Sequence, residues 1–454
     1  MTKLPIAILF SAGMLAATAE EAVSPAKPET SDELTQVKAE VETLKGELES
    51  LKESYLETKG IADKLSKIKM SGYIQTQWQY SDSIGLGTAL PGSLASTNLP
   101  SQPAGGAFPA NSRERFQLRR ARLKTTYETA TSKYVLQFDV LPTGLGIKDA
   151  SVSVMEPWLK TFSATAGVCD RPFGFEIGYS SSSRESPERS RVYQTVFPGE
   201  RDLGAKLEVA YPSGFLQYFN FKGGYFTGMG PTANEIDNNR DMIGRAGFGI
   251  PLYDLNLAID GGFSAYLGSV TAVNDTVFNF VDTSFTRSTG KLSGYVDRKV
   301  MGVDAQVYYD LPVIGGLSLR GEYLWGEMPG TSGANGPYGA AVTPIYNRKF
   351  SGWYAILVQN LGKKVQAVVK YDVFDPNTEI DGEKMRGSLL RPADIMFSTL
   401  GLGALFYWDE NVRLTAYYDI IANEEAGPTV TGALAPYKQD LADNVFTLRA
   451  QVKF

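Results

Sequence analysis

The covalent chemistry open to this chain is limited first by what it lacks. Its 454 residues include no histidine and one cysteine, Cys169. That composition removes Ser–His and Cys–His nucleophilic catalysis, every His-ligated zinc or iron centre, and any internal disulfide framework. The oxygen-rich run 234–241, with Asn234, Asp237, Asn238 and Asp241, could in principle meet calcium. Its spacing fits no defined calcium loop and reads as an ordinary polar connection. No enzymatic role, metal or cofactor is expected.

Non-covalent attraction between cations and a solute is the chemistry that remains. From Arg113 to Lys124 the chain carries six cations against one acid, Glu114. Within that run Arg120, Arg122 and Lys124 alternate with Ala121 and Leu123, so on a strand the three charges share one face. An Arg or Lys turned toward lipid at mid-membrane depth costs about 2–4 kcal/mol. If the strand crosses a membrane, that face must therefore meet water. The same reasoning turns Lys206 inward, between Ala205 and Leu207, and places Arg171 on the water side. A second basic cluster, Arg184, Arg189, Arg191 and Arg201, lies in a long connection and is interrupted by Glu185, Glu188 and Glu200. Cations lining a low-dielectric passage focus anions into it. Cations paired across strands only knit the wall. The residues expected to meet anions are Arg120, Arg122, Lys124, Arg171, Arg184, Arg189, Arg191, Arg201 and Lys206.

The elements that must position these residues follow from periodicity. From Asn444 to Phe454 one face holds Phe446, Leu448, Ala450, Val452 and Phe454 and the other Thr447, Arg449, Gln451 and Lys453. About sixteen segments between Gly72 and Phe454 show this period-two pattern. No run of eighteen apolar residues follows the N-terminus, which leaves helical membrane spans out. Connections alternate between short turns, such as 410–411 and 361–362, and long stretches, such as 81–112, 172–201 and 268–296. Aromatics near the ends of the expected strands (Trp78, Trp158, Tyr211, Trp325, Trp353 and Trp408) suit interfacial girdles. The expected fold is all-β and transmembrane: an antiparallel outer-membrane β-barrel of about sixteen strands, large enough to enclose water.

Three segments precede the barrel. Residues 1–19 read as a secretory signal peptide, with Lys3, an apolar core from Ile6 to Leu15, and the small-residue site Ala17-Thr18-Ala19. Residues 20–31 read as a linker. In 32–69, Leu34, Val41, Leu48, Tyr55 and Ala62 alternate at 3–4 spacing with Val37, Leu44, Leu51, Thr58 and Leu65, a coiled-coil seam expected to lie in the periplasm. The barrel is expected over 70–454. A net charge of −6 argues against a nucleic-acid partner.

One further pattern is more specific. The order Arg119-Arg120-Ala121-Arg122-Leu123, Lys148-Asp149-Ala150, Arg171-Pro172-Phe173-Gly174, the acidic-basic stretch Arg184 to Arg191, and Gly199-Glu200-Arg201-Asp202-Leu203-Gly204 resembles the phosphate-selective porin O and P family. The resemblance covers roughly Phe116 to Ala210, with the terminal Phe454 similar to an outer-membrane assembly signal. It implies a sixteen-stranded, trimeric anion porin with an arginine ladder, to which Arg120 and Arg122 correspond, and a lysine-lined entrance, for which this chain shows no dense lysine cluster. The expectation is an outer-membrane porin, a homotrimer in outer-membrane lipid, passing small hydrophilic solutes passively with a preference for anions, phosphate among them. The alternative is a structural anchor whose coiled coil links the barrel to cell-wall components.

Overall fold

Alternation at period two commits a segment to a strand whose two faces meet different surroundings, and each of the sixteen expected segments forms one. The computed structural model describes residues 31–82, 108, 112–141, 144–231, 235, 237–271, 276–289, 294–331, 344–386 and 389–454. The expected signal peptide and nearly all of the linker lie outside the described residues. The strands are β1 (Ile68–Ser81), β2 (Glu114–Glu128), β3 (Ser132–Leu141), β4 (Gly144–Met155), β5 (Phe162–Asp170), β6 (Arg201–Ala210), β7 (Phe219–Phe226), β8 (Asp241–Leu252), β9 (Leu257–Thr271), β10 (Thr276–Val281), β11 (Ser284–Thr289), β12 (Tyr295–Leu311), β13 (Gly315–Gly330), β14 (Ile345–Leu361), β15 (Val365–Asp375), β16 (Phe397–Tyr407), β17 (Val412–Asn423) and β18 (Val445–Lys453).

Sixteen of these form the wall, each antiparallel to its neighbours. β9 pairs directly with β12, and β1 pairs with both β2 and β18, which closes the cylinder. The other two, β10 and β11, form a hairpin inside the long connection between β9 and β12. The hairpin lies parallel against the start of β14, with Val277–Asn279 beside Ile345–Asn347. Period alone reads 268–296 as a plain connection, and the hairpin is an addition to it. Two 3₁₀ turns, Phe215–Tyr218 and Tyr253–Leu255, feed β7 and β9. Their aromatic and apolar residues suit a strand by composition but sit in the turn.

The two faces separate as alternation requires. β1 turns Tyr73, Gln75, Gln77 and Gln79 inward, where they are buried, and Ile74, Thr76, Trp78 and Tyr80 outward. Outward Val303, Leu319, Leu357, Val369, Leu402, Leu414 and Leu448 continue an exposed apolar belt around the barrel. Trp158, Tyr211 and Trp408 sit at the short-turn rim as expected of a girdle, whereas Trp353 lies in the middle of β14. The ends of the wall meet at Gly72: its N–H donates to the Phe454 carbonyl at 2.9 Å and its carbonyl accepts from the Phe454 N–H at 3.0 Å. A Cβ at Gly72 would strike the Phe454 ring, so a residue with no side chain is needed at this point of closure.

The wall carries two bulges, and both turn a pair of charged neighbours inward. Gln75 faces Arg120 while Thr76 faces Leu118, which leaves Arg119 as an extra residue in β2. Gln137 faces Asp149 while Phe138 faces Ile147, which leaves Lys148 as an extra residue in β4. An inserted residue breaks strict alternation and re-aims its neighbours.

The N-terminal segment forms its own unit. It is one continuous 35-residue helix, α1 (Ser31–Leu65). The seam residues Leu34, Val37, Val41, Leu44, Leu48 and Leu51 are all exposed, Leu48 at 66%.

Candidate functional site in the barrel lumen

Between β5 and β6 the connection 171–200 runs inside the cylinder, and two different chemistries hold it there. On one side it carries an apolar face: Phe173, Ile177, Val192, Tyr193, Val196 and Phe197, the last four in or beside the short helix α2 (Arg191–Val196). These pack on inward side chains of β7 to β14, among them Phe226, Ile243, Tyr266, Val300, Leu324 and Phe350. A lumen-facing Leu or Phe is unexpected in a water-filled barrel. Here the loop covers it.

Carboxylates make the other attachment. Glu188 accepts from Arg119 Nε and Nη2 at 2.7 and 2.8 Å, from Arg120 Nη2 at 2.7 Å and from Arg449 Nη2 at 3.0 Å. Burial alone would raise the Glu188 carboxyl; Arg119, Arg120 and Arg449 outweigh it and hold the group well below the usual carboxylate range. Glu200 pairs with Lys148 and with Arg189, and Arg201 reaches Asp149 at 2.7 Å. The two bulges therefore supply both grips on the loop: Arg119 and Arg120 hold Glu188, and Lys148 and Asp149 hold Glu200 and Arg201. From β13, Glu322 accepts from the Phe175 and Glu176 N–H groups at 2.8 and 2.7 Å and from the Tyr193 and Tyr354 hydroxyls at 2.5 Å each. Gly174, at φ +60°, leaves no space for a Cβ beside the Tyr193 hydroxyl.

The expected cations divide by this geometry. Arg120, Arg122, Arg189 and Arg201 meet along the seam between loop and wall, with Arg122 on Asp139 at 2.8 Å and on the Ser181 hydroxyl at 3.0 Å. Lys206 pairs with Asp170 at 2.8 Å, and Lys124 is half-buried with no ion pair among the described residues. Arg171 is fully buried beside Asp202, 3.5 Å away. Arg191 is buried with its guanidinium over the Phe397 ring at 4.5 Å, and Arg184 is buried within the loop. These last three lie beneath packed side chains. The most accessible inward charges are on β5 to β7, where Lys222 and Glu208 pair at 3.0 Å with a third of each side chain exposed. The Asp170 side chain there is 41% exposed.

Alternation places Arg413 and Arg449 on the polar inner face, but it does not anticipate the inward turn of Arg119 and Lys148. Arg119 and Lys148 are turned inward by the bulges, and Arg115, Arg413 and Arg449 complete the wall. Four of its arginines bond a neutral glutamine oxygen: Arg120 to Gln75 at 3.1 Å, Arg449 to Gln77 at 3.0 Å, Arg115 to Gln79 at 2.8 Å and Arg413 to Gln451 at 3.1 Å. A glutamine orients a guanidinium without cancelling its charge. The alternation Gln75, Gln77, Gln79 was a readable signal of a polar inner face. The oxygen-rich run after Asn234 has internal partners for its carboxylates: Asp241 meets Arg298 and Tyr266, and Asp237 accepts from Thr271 and the Asn239 N–H.

No protein-family model matches the chain, and no curated protein matches its sequence. Solved structures match its shape. An anion-selective porin from Comamonas acidovorans superimposes with a TM-score of 0.50 at 12% identity, over 85% of this chain and 99% of that one. The high-pH structure of Pseudomonas putida OprB gives 0.54 at 10% identity, over 87% and 96%. With its sixteen-stranded closed wall, alternating short turns and long connections, and one connection folded into the lumen, the barrel has the porin fold.

Proposed function

We propose that this protein is a passive channel of the bacterial outer membrane, a general porin for small hydrophilic solutes that prefers anions, phosphate among them. The reading rests on one observation. Ion pairing at the loop leaves positive charge in excess: three arginines share Glu188, and the other hydrogen bonds of Arg120 and Arg449 go to uncharged Gln75, Gln77 and the Pro187 carbonyl. Inside a low-dielectric wall such an excess raises the local concentration of counter-ions. Selectivity then comes from the field and the width left beside the loop, and no covalent step is involved. In the same reading the exposed seam of α1 is a periplasmic coiled coil between copies of the chain, consistent with a homotrimer, and a cleaved leader directs export.

The test is the zero-current potential of the purified protein in planar bilayers under a salt gradient, before and after Arg120→Gln with Arg122→Gln. An anion-selective potential that collapses in the double variant supports the reading. Cation selectivity, or a potential the substitutions leave unchanged, overturns the anion preference. Absence of conductance overturns the channel itself.

A further inference from the structure

Arg184 sits in the middle of the clamped loop with 3% of its surface exposed. None of its three guanidinium nitrogens has a hydrogen-bond acceptor among the described residues. The carboxylates nearest in sequence are engaged elsewhere: Glu185 by Arg320 and Tyr179, and Glu188 by its three arginines. Glu176, the other acid within electrostatic reach, accepts from the Ser190 N–H and hydroxyl. The Arg184 backbone is engaged too, its N–H donating to Ser180 O and its carbonyl accepting from Arg413 Nη2 at 3.0 Å. Arg413 therefore lies against it, and the Arg413 Nε also has no acceptor.

Burial first, then repulsion from Arg189 and Arg120, push the Arg184 guanidinium down to about 9, which leaves it protonated at neutral pH. Glu176 and Glu188 pull the other way, but burial and the two neighbouring arginines outweigh them. An arginine carries five N–H donors and no acceptor. Folded proteins resolve a buried charge by supplying a counter-charge and a buried donor by supplying an acceptor. A water molecule would answer the second need only. A monatomic anion answers both.

We propose that Arg184 holds a resident monatomic anion, chloride under physiological conditions, and that this ion helps to fix the loop 171–200 inside the barrel. The site is distinct from the Glu188 seam and does not depend on which solutes the barrel passes.

The experiment is diffraction from crystals of the whole protein soaked in bromide, together with thermal unfolding in detergent with chloride exchanged for gluconate at constant ionic strength. The expected results are an anomalous peak within hydrogen-bond distance of the Arg184 guanidinium and a lower melting temperature in gluconate. In Arg184→Met the peak disappears and melting no longer depends on the anion; Arg184→Lys retains part of both. A peak that survives in Arg184→Met marks an adventitious ion only and overturns the proposal. So does density at the guanidinium without anomalous signal, or wild-type melting that ignores the exchange. If Arg184→Met fails to assemble, the wild-type peak and its anion-dependent melting decide the matter.

Discussion

Replacing Glu188 with glutamine gives the most direct test of how the loop is held. Gln is isosteric, so the change removes charge and little volume. It leaves Arg119, Arg120 and Arg449, previously 2.7–3.0 Å from one carboxylate, facing a single neutral carbonyl oxygen. Removing one partner of a buried ion pair costs about 3–5 kcal/mol, because the remaining charge is left uncompensated. The loop has other attachments, at Glu200, Glu322 and the apolar face, so the loss should appear as local opening and not as barrel unfolding. At about 1.4 kcal/mol per decade, amides around residues 184–196 should exchange with solvent roughly a hundred to several thousand times faster. Strand amides of β12 to β15 should not change. Hydrogen exchange followed by mass spectrometry on the barrel in nanodiscs reads both sets in one sample. A change of less than about threefold in the loop, roughly 0.7 kcal/mol, would refute the clamp. Uniform acceleration across the barrel would refute the claim that the clamp is local.

Three further outcomes follow from the packing and the charges. Phe173 is buried, with its ring 4.8 Å from that of Phe197; Phe173→Ala should cost about 3–5 kcal/mol of loop packing, seen as new protease cleavage within 174–199 while the strands stay intact. Asp443, in the connection before β18, has its carboxyl raised by burial to about 7, with Arg191 pulling the other way. A carboxyl raised above its ordinary value of 3.8 stabilises the folded connection fully in acid, and that contribution is lost as pH rises through about 7. Amides of 424–444, corrected for intrinsic rates, should therefore exchange more slowly at pH 5 than at pH 8, and Asp443→Asn should abolish the difference. For α1, Leu48→Cys in a Cys169→Ser background should form inter-chain disulfides on mild oxidation if the exposed seam pairs between copies; monomer alone would count against the coiled coil.

Nearly all of the wall could be read from alternation, because a strand with lipid on one side and a polar interior on the other must alternate. The bulges could be read as well, although strict alternation passes over them. In β2 the outward apolar set is Phe116, Leu118 and then Ala121, Leu123; in β4 it is Leu145, Ile147 and then Ala150, Val152. Each series slips by one residue at a charged doublet, Arg119-Arg120 or Lys148-Asp149. A one-residue slip reverses every later side chain, so the insertion has to fall where two neighbouring charges both belong inside. The partners of the loop were not legible. That three arginines converge on Glu188, and that Leu324 and Ile243 face inward to be covered, depends on where a thirty-residue connection folds back, and period carries no information about that. The β10–β11 hairpin was hidden for the same reason, since its six-residue strands stand within a connection.

The Glu188 clamp also sets an order of assembly. Its arginines come from β2 and from β18, with β1 between them, so they are neighbours only across the junction of the chain's two ends. Before the final strand arrives, the sheet is an open ribbon with two raw edges, and Arg449 is more than two hundred residues along the chain from the carboxylate it will meet. Pairing β18 with β1 joins the strands farthest apart in the chain, so it carries the largest loop-closure cost in the wall and falls late in folding. The inward connection, synthesised in the first half of the chain, therefore cannot complete this latch until the last strand has docked. The latch then joins the two ends of the wall through a residue belonging to neither. A locked loop becomes a signature of a completed circumference, and a chain stalled before its last strand would present that loop unlatched.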